Sequence, residues 1–228
     1  MKIEINLPSD LSEISLVQYQ EFLKATENNN DEEFLSQKIV SLFCNIPMQN
    51  VQFMKFTDVA DIVLHMVKLF NTDKHKFINR FTIGKTEFGF IPNLENISSG
   101  EYIDLENNLK ENKDLHKAMA VMFRPIVKTK KEYYEIERYQ GSNTYADVMK
   151  SAPLDVVLGA KVFFWSLETE LLTHSLIYLN KLMESKRMIS VLKANLAVSG
   201  DGISQSINLL KEMSEDLTRL RNYNFLNV

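Results

Sequence analysis

One long helical pattern occupies the last third of the chain and constrains the fold more than any other feature. Pro153 suits the first turn of a helix, and apolar residues recur at helical spacing to about Val198. Gly200-Asp201-Gly202 then ends this pattern and starts a final amphipathic helix. Its apolar residues are Ile203, Ile207, Leu210, Met213, Leu217 and Leu220. We therefore predict a long helical hairpin over 153–228, able to project from a body and to pack against copies of itself.

Residues 1–152 predict a helical body with a small antiparallel β element. Gly (7) and Pro (5) are both scarce among the 228 residues, which disfavours an all-β or disordered chain. Residues 77–91 favour two short strands around Gly84-Lys85, and residues 1–6 alternate as a strand does. A hairpin alone is marginal in water, so we expect it to pair with residues 1–6 or to pack on helices. Body and C-terminal hairpin are expected to form one continuous, mainly α domain.

Two helix starts carry a capping box, in which a Ser is followed three residues later by Gln or Glu. These are Ser15 with Gln18, and Ser98 with Glu101. Glu101 is therefore explained by its cap. The segment 126–140 leaves two alternatives open, a strand or an extended arm.

Charge and cysteine content exclude several classes of protein. The net charge is −4, so no global positive field holds nucleic acid. Cys44, the single cysteine, lies in an apolar run and is expected to be a small buried residue in a reducing compartment. The most apolar stretch, 156–167, is shorter than the roughly 20 residues of a membrane span. The residues at the start lack the apolar core of a signal peptide, so we expect no membrane association.

The sequence contains no motif for metal, nucleotide or nucleophilic chemistry. The four histidines are scattered, and the HExxH, CxxC, P-loop and G-x-S-x-G patterns are all missing. The acidic pair Glu168 and Glu170 fits a solvated helix surface. We therefore expect no catalytic residue, no cofactor and no metal, and a protein that is not an enzyme.

A local run of cations, interpreted as a loop, is one candidate binding site. It consists of Arg124, Lys128, Lys130 and Lys131, with Tyr133 and Tyr134 beside it. Mixed cations and aromatic rings suit single-stranded nucleic acid or an acidic protein surface. Three interpretations stay open: a solvated loop, contact with an acidic partner, and contact with DNA.

Aromatic residues of the C-terminal segment form the second candidate site. Phe163, Phe164 and Trp165 are consecutive and so point in three directions around a helix axis. One helix face cannot bury all three, and interfaces favour aromatic residues. We take them, with Tyr178, as a candidate interface, either as core alone or as core together with a homo-oligomer interface.

Several segments of the chain also resemble a known protein family. They are Phe88–Leu94, Ser99–Glu106, Leu115–Pro125, Leu154–Ala160 and Ser199–Ser204. With the start of the chain, they resemble small proteins encoded among the virion genes of tailed bacteriophages, and the resemblance covers most of the chain. The family supplies no catalytic residue to carry over.

The resemblance implies a role in building the phage particle, in the virion or in the host cytoplasm during assembly. One interpretation is an oligomeric ring or connector at the head–tail junction or in the tail, bound to portal, ring or tail proteins. An acidic balance suits a channel through which DNA passes. The alternative is a tail assembly chaperone that leaves before the particle is complete. A DNA-processing role is the third and weakest interpretation.

Overall fold

The computed structural model describes residues 5–27, 29, 31–71, 75–131, 133–167 and 169. In these residues the chain is mainly helical and has one small antiparallel sheet, which confirms the predicted fold class. The chain divides into two compact units, residues 1–160 with 225–228, and residues 161–224. Most of the predicted C-terminal hairpin over 153–228 lies outside the described residues and stays a prediction.

The described helices precede, interrupt and follow the strands along the chain. The helices are α1 (Leu16–Thr26), α2 (Glu32–Phe43), α3 (Met48–Val51), α4 (Phe56–Phe70), α5 (Ser99–Leu109), α6 (Leu115–Met122), α7 (Ala146–Met149) and α8 over 154–167. The strands are β1 (Arg80–Ile83), β2 (Thr86–Phe90), β3 (Phe123–Lys130) and β4 (Tyr133–Ile136).

Both predicted capping boxes are present and fix the starts of α1 and α5. The Ser15 backbone N–H donates to Oε1 of Gln18 at 2.9 Å. The Ser98 N–H donates to Oε2 of Glu101 at 2.8 Å, and the Glu101 N–H donates back to Oγ of Ser98 at 3.3 Å. These bonds satisfy backbone donors that a helix start otherwise leaves without a partner.

The helical part of the core is built from rings on α1, α2 and α4. Phe43 lies between two of them, with ring centroids 5.5 Å from Phe22 and 5.3 Å from Phe70. Tyr19 stacks on Phe70 at 6.0 Å. Cys44 is buried beside them, as the sequence predicted. The apolar stripes of three separate helices therefore meet in one aromatic cluster.

The chain before α1 is fastened to the chain before α8. The N–H groups of Leu16 and Val17 donate to the carbonyls of Ala152 and Lys150 at 3.0 and 2.9 Å. The N–H of Leu154 donates to the carbonyl of Ile14 at 2.9 Å. The first turns of two helices thus obtain hydrogen-bond acceptors from each other's flanking segments.

The sheet is antiparallel in the order β1-β2-β3-β4. The predicted hairpin is confirmed, with Ile83 paired to Thr86 across the Gly84-Lys85 turn. The hairpin also pairs through β2 with β3, a partner that the sequence does not predict. Residues 5 and 6 form no strand, and residues 1–4 lie outside the described residues.

Aromatic side chains explain why β3 is the partner of the hairpin. Phe123 lies opposite Phe90 in the register, and their ring centroids are 5.2 Å apart. Phe81 approaches Phe123 at 5.1 Å and Phe88 at 5.8 Å. An apolar ring from β3 completes this buried face, which favours the pairing with β3.

Candidate interaction surface

The segment that carries the predicted basic loop is a strand, which corrects the sequence interpretation. Helix α6 ends at Met122, and the next residue already belongs to β3. Pro125 accounts for the change, because the residue before a proline is pushed from helical to extended backbone. Lys128 and Lys130 therefore lie in β3, and Lys131 lies in the turn after it with φ +56°.

Arg124 does not belong to a cationic surface, although the sequence grouped it with the lysines. Its side chain is 8% exposed, and Nη1 lies 2.6 Å from Oε1 of Glu101. Its guanidinium carbon is 5.5 Å from the centre of the Tyr139 ring. Arg124 thus joins β3 to α5 inside the protein and is unavailable to DNA or to an acidic partner.

Glu101 has two roles, of which the sequence predicted only the cap. Burial by itself would raise the pKa of its carboxyl group, but the hydrogen bonds from Ser98 and the bond and charge of Arg124 outweigh burial and lower that pKa. Beside this pair, the Tyr139 hydroxyl donates to the Asp104 carboxylate. Burial, followed by that hydrogen bond, raises the pKa of Tyr139. One link therefore holds α5 to β3, and a second holds α5 to the segment that follows β4.

Beyond Pro125, β3 continues as a two-stranded extension that we call the β-arm, residues 126–131 and 133–136. Pairing between β2 and β3 ends at Pro125, whereas β3 and β4 pair onward to Lys130 and Tyr133. The register shifts between Ile126 and Lys128. Such an irregularity bends a strand and increases its twist where the pairing with β2 ends.

Tyr134, one residue pair before the turn of the β-arm, ties the β-arm to β1 and β2. Its hydroxyl donates to the carbonyl of Phe90 at 2.8 Å. The guanidinium carbon of Arg80 lies 4.3 Å from the ring centre. The ring covers Gly89, where a Cβ atom would collide with it. Glycine at position 89 therefore leaves the space that the Tyr134 ring occupies against β2.

The outer part of the β-arm exposes apolar and cationic side chains. Val127 is 62% exposed and Tyr133 is 83% exposed. Lys128 forms an exposed ion pair with Glu135 at 3.0 Å. Lys130 and Lys131 are exposed, and neither forms an ion pair with any residue that the structure describes. The basic residues that remain available are therefore the three lysines, and they accompany an exposed aromatic ring.

The second candidate site lies in α8 and is only partly described. Phe164 is buried, whereas Phe163 and Trp165 are half-buried. Lys161 lies with Nζ 4.7 Å from the centre of the Trp165 ring, and burial lowers the pKa of Lys161 to about 8. Tyr178 lies outside the described residues. The assignment of these aromatic residues to an interface stays a prediction.

A further exposed patch was not found from the sequence. Phe53 and Phe56, between α3 and the start of α4, are 87% and 83% exposed. Helical spacing places Phe56 on the same stripe as buried Val59, three residues on. Phe56 is nevertheless exposed, so no described element covers this end of α4.

The described residues show neither a metal site nor a membrane-spanning helix, and the chain matches no known protein. The described residues contain no group of three or more His, Cys, Asp or Glu side chains arranged to hold a metal ion. They also contain no helix long and apolar enough to cross a bilayer. No protein-family model, curated protein or solved structure matches the chain. The resemblance to the tailed-phage family therefore depends on the sequence segments alone.

Proposed function

We propose that this chain is a non-enzymatic binding protein that takes part in building the particle of a tailed bacteriophage. Its role is that of an oligomeric ring or connector component at the head–tail junction or in the tail. Its partners are portal, ring or tail proteins and further copies of itself. It resides in the virion, and in the host cytoplasm while the particle is assembled.

The β-arm is the structural feature that supports the binding role. A two-stranded hairpin is marginally stable alone in water, and this one exposes Val127 near its base and Tyr133 at its outer end. Exposed apolar groups that are surrounded by charges are typical of protein-binding surfaces. Tyr134 ties the β-arm to β2 near its outer end, and Arg124 ties β3 to α5 before the β-arm begins, so the outer end is held in a defined position. A preorganised surface loses little conformational entropy when it binds.

The segments that resemble the phage family support a role in the assembly of a phage particle. The net charge of −4 suits a component beside passing DNA, since its mean field repels the phosphate backbone. The predicted helical hairpin over 153–228, with Phe163, Phe164, Trp165 and Tyr178, is the proposed contact between copies in a ring.

A tail assembly chaperone is the second candidate function, and the exposed rings of Phe53 and Phe56 favour it. Chaperones hold apolar segments of unfinished partners, and two nearly free aromatic rings suit such contacts. In this case the protein binds tail proteins during assembly and is missing from the finished particle.

Quantitative mass spectrometry of purified particles distinguishes the two functions. A ring component is expected at a fixed ratio to the portal protein after washing in high salt. A chaperone is expected in infected-cell extracts, bound to tail proteins, and at trace amounts in particles. If this protein is associated with phage proteins neither in purified particles nor in infected-cell extracts, the proposed function is wrong. A portal-free tail preparation serves as the control, since it separates a tail component from a junction component.

A further inference from the structure

We infer that the β-arm of one copy of this protein binds an exposed surface at the start of α4 in a second copy. We call the receiving surface the α4 patch, and it consists of Phe53, Phe56, Asp58, Asp61 and Leu64. The inference rests on the proposed function as an oligomeric component. It adds a head-to-tail contact to the contact proposed for the C-terminal hairpin.

The two surfaces contain the most exposed large apolar side chains of the described residues. On the α4 patch, Phe53 is 87% exposed, Phe56 83% and Leu64 58%. On the β-arm, Tyr133 is 83% exposed and Val127 62%. Exposed apolar side chains that collect in patches mark binding surfaces, and aromatic rings provide much of the binding energy at the centre of interfaces. Each surface therefore leaves apolar area in water that a contact between them would bury.

Helical spacing places the members of the α4 patch side by side. Phe56 and Leu64 are about two turns apart on α4. Asp58, Asp61 and Leu64 follow one another at intervals of three residues and so form one row. Phe53 lies in the turn before α4, and its backbone N–H is hydrogen-bonded within that turn at 3.2 Å. The apolar and acidic side chains therefore form one continuous exposed surface.

The α4 patch and the β-arm carry charges of opposite sign. Asp58 and Asp61 are exposed, and neither forms an ion pair with a residue that the structure describes. The segment 53–64 has these two aspartates against one lysine. The β-arm supplies Lys130 and Lys131, which are likewise exposed and have no ion pair among the described residues. Complementary charges of this kind orient two surfaces and select the right partner.

The β-arm presents a ring and a cation together, as the α4 patch presents rings and carboxylates. Lys130 and Tyr133 lie directly opposite each other in the β3–β4 register, so their side chains share a face. Lys131 follows in the turn. In the contact, Tyr133 packs on the phenylalanine rings, and the two lysines meet the two aspartates.

Self-pairing of either surface is disfavoured by charge. Two β-arms in contact would bring Lys130 and Lys131 of both copies together, and two α4 patches would bring their aspartates together. A contact between two different surfaces avoids this repulsion. Such a contact repeats from copy to copy and closes into a ring when the rotation between copies permits. The β-arm is therefore assigned to the α4 patch of the next copy, as a ring component requires.

The test uses the full chain and sedimentation velocity over a series of concentrations. Lys130→Glu/Lys131→Glu reverses the charge of the β-arm, and Asp58→Lys/Asp61→Lys reverses that of the α4 patch. Each variant alone is expected to associate at least tenfold more weakly than the parent, because like charges then meet. An equal mixture of the two is expected to recover association to within about threefold of the parent. In the mixture, the acidic β-arm of one variant meets the basic α4 patch of the other, and the remaining two surfaces are native.

Matched controls change the net charge equally and leave both surfaces intact. Lys24→Glu/Lys110→Glu has the charge of the reversed β-arm, and Glu32→Lys/Glu33→Lys has the charge of the reversed α4 patch. The second control also places its lysines in the first turn of a helix, as Asp58→Lys does. Both controls are expected to associate like the parent. Thermal unfolding verifies folding, and Asp61→Lys alone replaces the double variant if the latter unfolds.

The apolar part of the contact is tested by Phe53→Ser/Phe56→Ser, which keeps every charge. This variant is expected to weaken association at least tenfold. Unchanged association would show that the rings lie outside the contact and would overturn the inference. Loss of tail-protein binding by this variant with unchanged self-association would assign the α4 patch to the chaperone function.

Three further results overturn the inference. The first is a mixture of the charge-reversed variants that associates no better than either alone, and the second is a parent that stays monomeric at every concentration. The third is single-stranded DNA retention that the reversed β-arm loses while self-association is unchanged, which favours nucleic acid. Particle mass spectrometry is independent of self-association in solution, so failure here leaves the proposed function to be judged on its own test.

Discussion

Arg124 looks like part of a cationic surface in the sequence, but in the fold it forms a buried ion pair with Glu101. Removing two charges from water has a large cost, which is recovered only when geometry and hydrogen bonds are good. The 2.6 Å contact with Glu101, the bonds from Ser98 to that carboxylate and the Tyr139 ring offset part of this cost, while Nε and Nη1 of Arg124 are buried without a hydrogen bond of good geometry to any described residue. The buried ion pair therefore holds α5 and β3 together.

Arg124→Met is expected to lower the free energy of unfolding by about 3 kcal/mol, because it leaves a buried carboxylate without its cation. Urea denaturation measures the change. The control is Lys117→Met, which breaks the half-exposed ion pair with Asp114 at 2.7 Å and is expected to cost less than about 1 kcal/mol. Equal effects of the two substitutions would show that the Arg124 pair behaves as an ordinary surface pair.

Acidification is expected to remove the contribution of Glu101. The pKa of Glu101 is lowered in the folded protein, so its stabilisation is fully present above the unfolded pKa of about 4.3 and is lost as pH falls through the lower folded pKa. The difference in unfolding free energy between the parent and Glu101→Gln should be constant from about pH 7 to 5 and should shrink below about pH 4. Denaturation curves at each pH test this, and a difference that grows in acid contradicts it. Comparison with the variant cancels the contributions of His75 and His116, whose pKa values are lowered by burial in both proteins.

At the scale of elements, α8 approaches the chain before β1 closely at Gly159. A Cβ atom there would collide with the backbone carbonyl of Lys76, which has no flexible side chain to move away. Gly159→Ala is therefore expected to cost about 1–3 kcal/mol of unfolding free energy, despite the better helix propensity of Ala. Thermal and urea unfolding measure the change.

Gly100 in α5 provides the matched control for Gly159. A Cβ at Gly100 meets only the Tyr139 ring, at an ordinary 3.8 Å. Gly100→Ala is expected to stabilise the protein by up to about 1 kcal/mol, because Ala loses less conformational entropy in a helix. The same chemical change should thus have opposite signs at two helical positions. A neutral or stabilising Gly159→Ala would refute the close approach of the two backbones.

Two adjacent tyrosines in β4 are expected to differ because one braces the β-arm and the other extends from it. Tyr134→Ala removes a hydrogen bond of 2.8 Å, a cation–π contact and the cover over Gly89, and should cost about 2 kcal/mol. Tyr133→Ala removes a ring that is 83% exposed and should change stability by less than about 0.5 kcal/mol. Urea denaturation measures the unfolding free energy of both variants. A large loss of unfolding free energy with Tyr133→Ala would mean that this ring is structural and not free for binding.

At the scale of the whole molecule, the unit that includes residues 1–160 contains its own apolar core. A chain truncated after Leu167 is therefore expected to unfold in one cooperative transition. Its near-ultraviolet circular dichroism, which reports on the buried aromatic rings of this core, can be compared with far-ultraviolet circular dichroism across the transition. Coincident transitions would confirm an independent unit. Non-coincident transitions, or an early loss of near-ultraviolet signal, would show that the core needs the remaining chain.

Local features of the fold were predictable because their causes lie within a few residues. The two capping boxes, the Gly84-Lys85 turn and the buried Cys44 are each determined by neighbours along the chain. Amphipathic spacing gave the helices of the core in the same way. The change from α6 to β3 at Pro125 has a local cause as well, but the sequence of 126–140 leaves its conformation open, because its cations and aromatics suit both a strand and an arm.

The sequence by itself determined the mainly α class with a minor antiparallel sheet, the starts of α1 and α5, and a group of cations near residue 124. Only the tertiary structure decided that Arg124 is buried on Glu101 while three lysines stay on the β-arm. It also decided that β3 pairs with the predicted hairpin, and that Phe56 lies outside the core. The physical reason is common to all three. Burial and strand pairing depend on segments that are distant in sequence, and no pattern along one segment records which distant segment covers it.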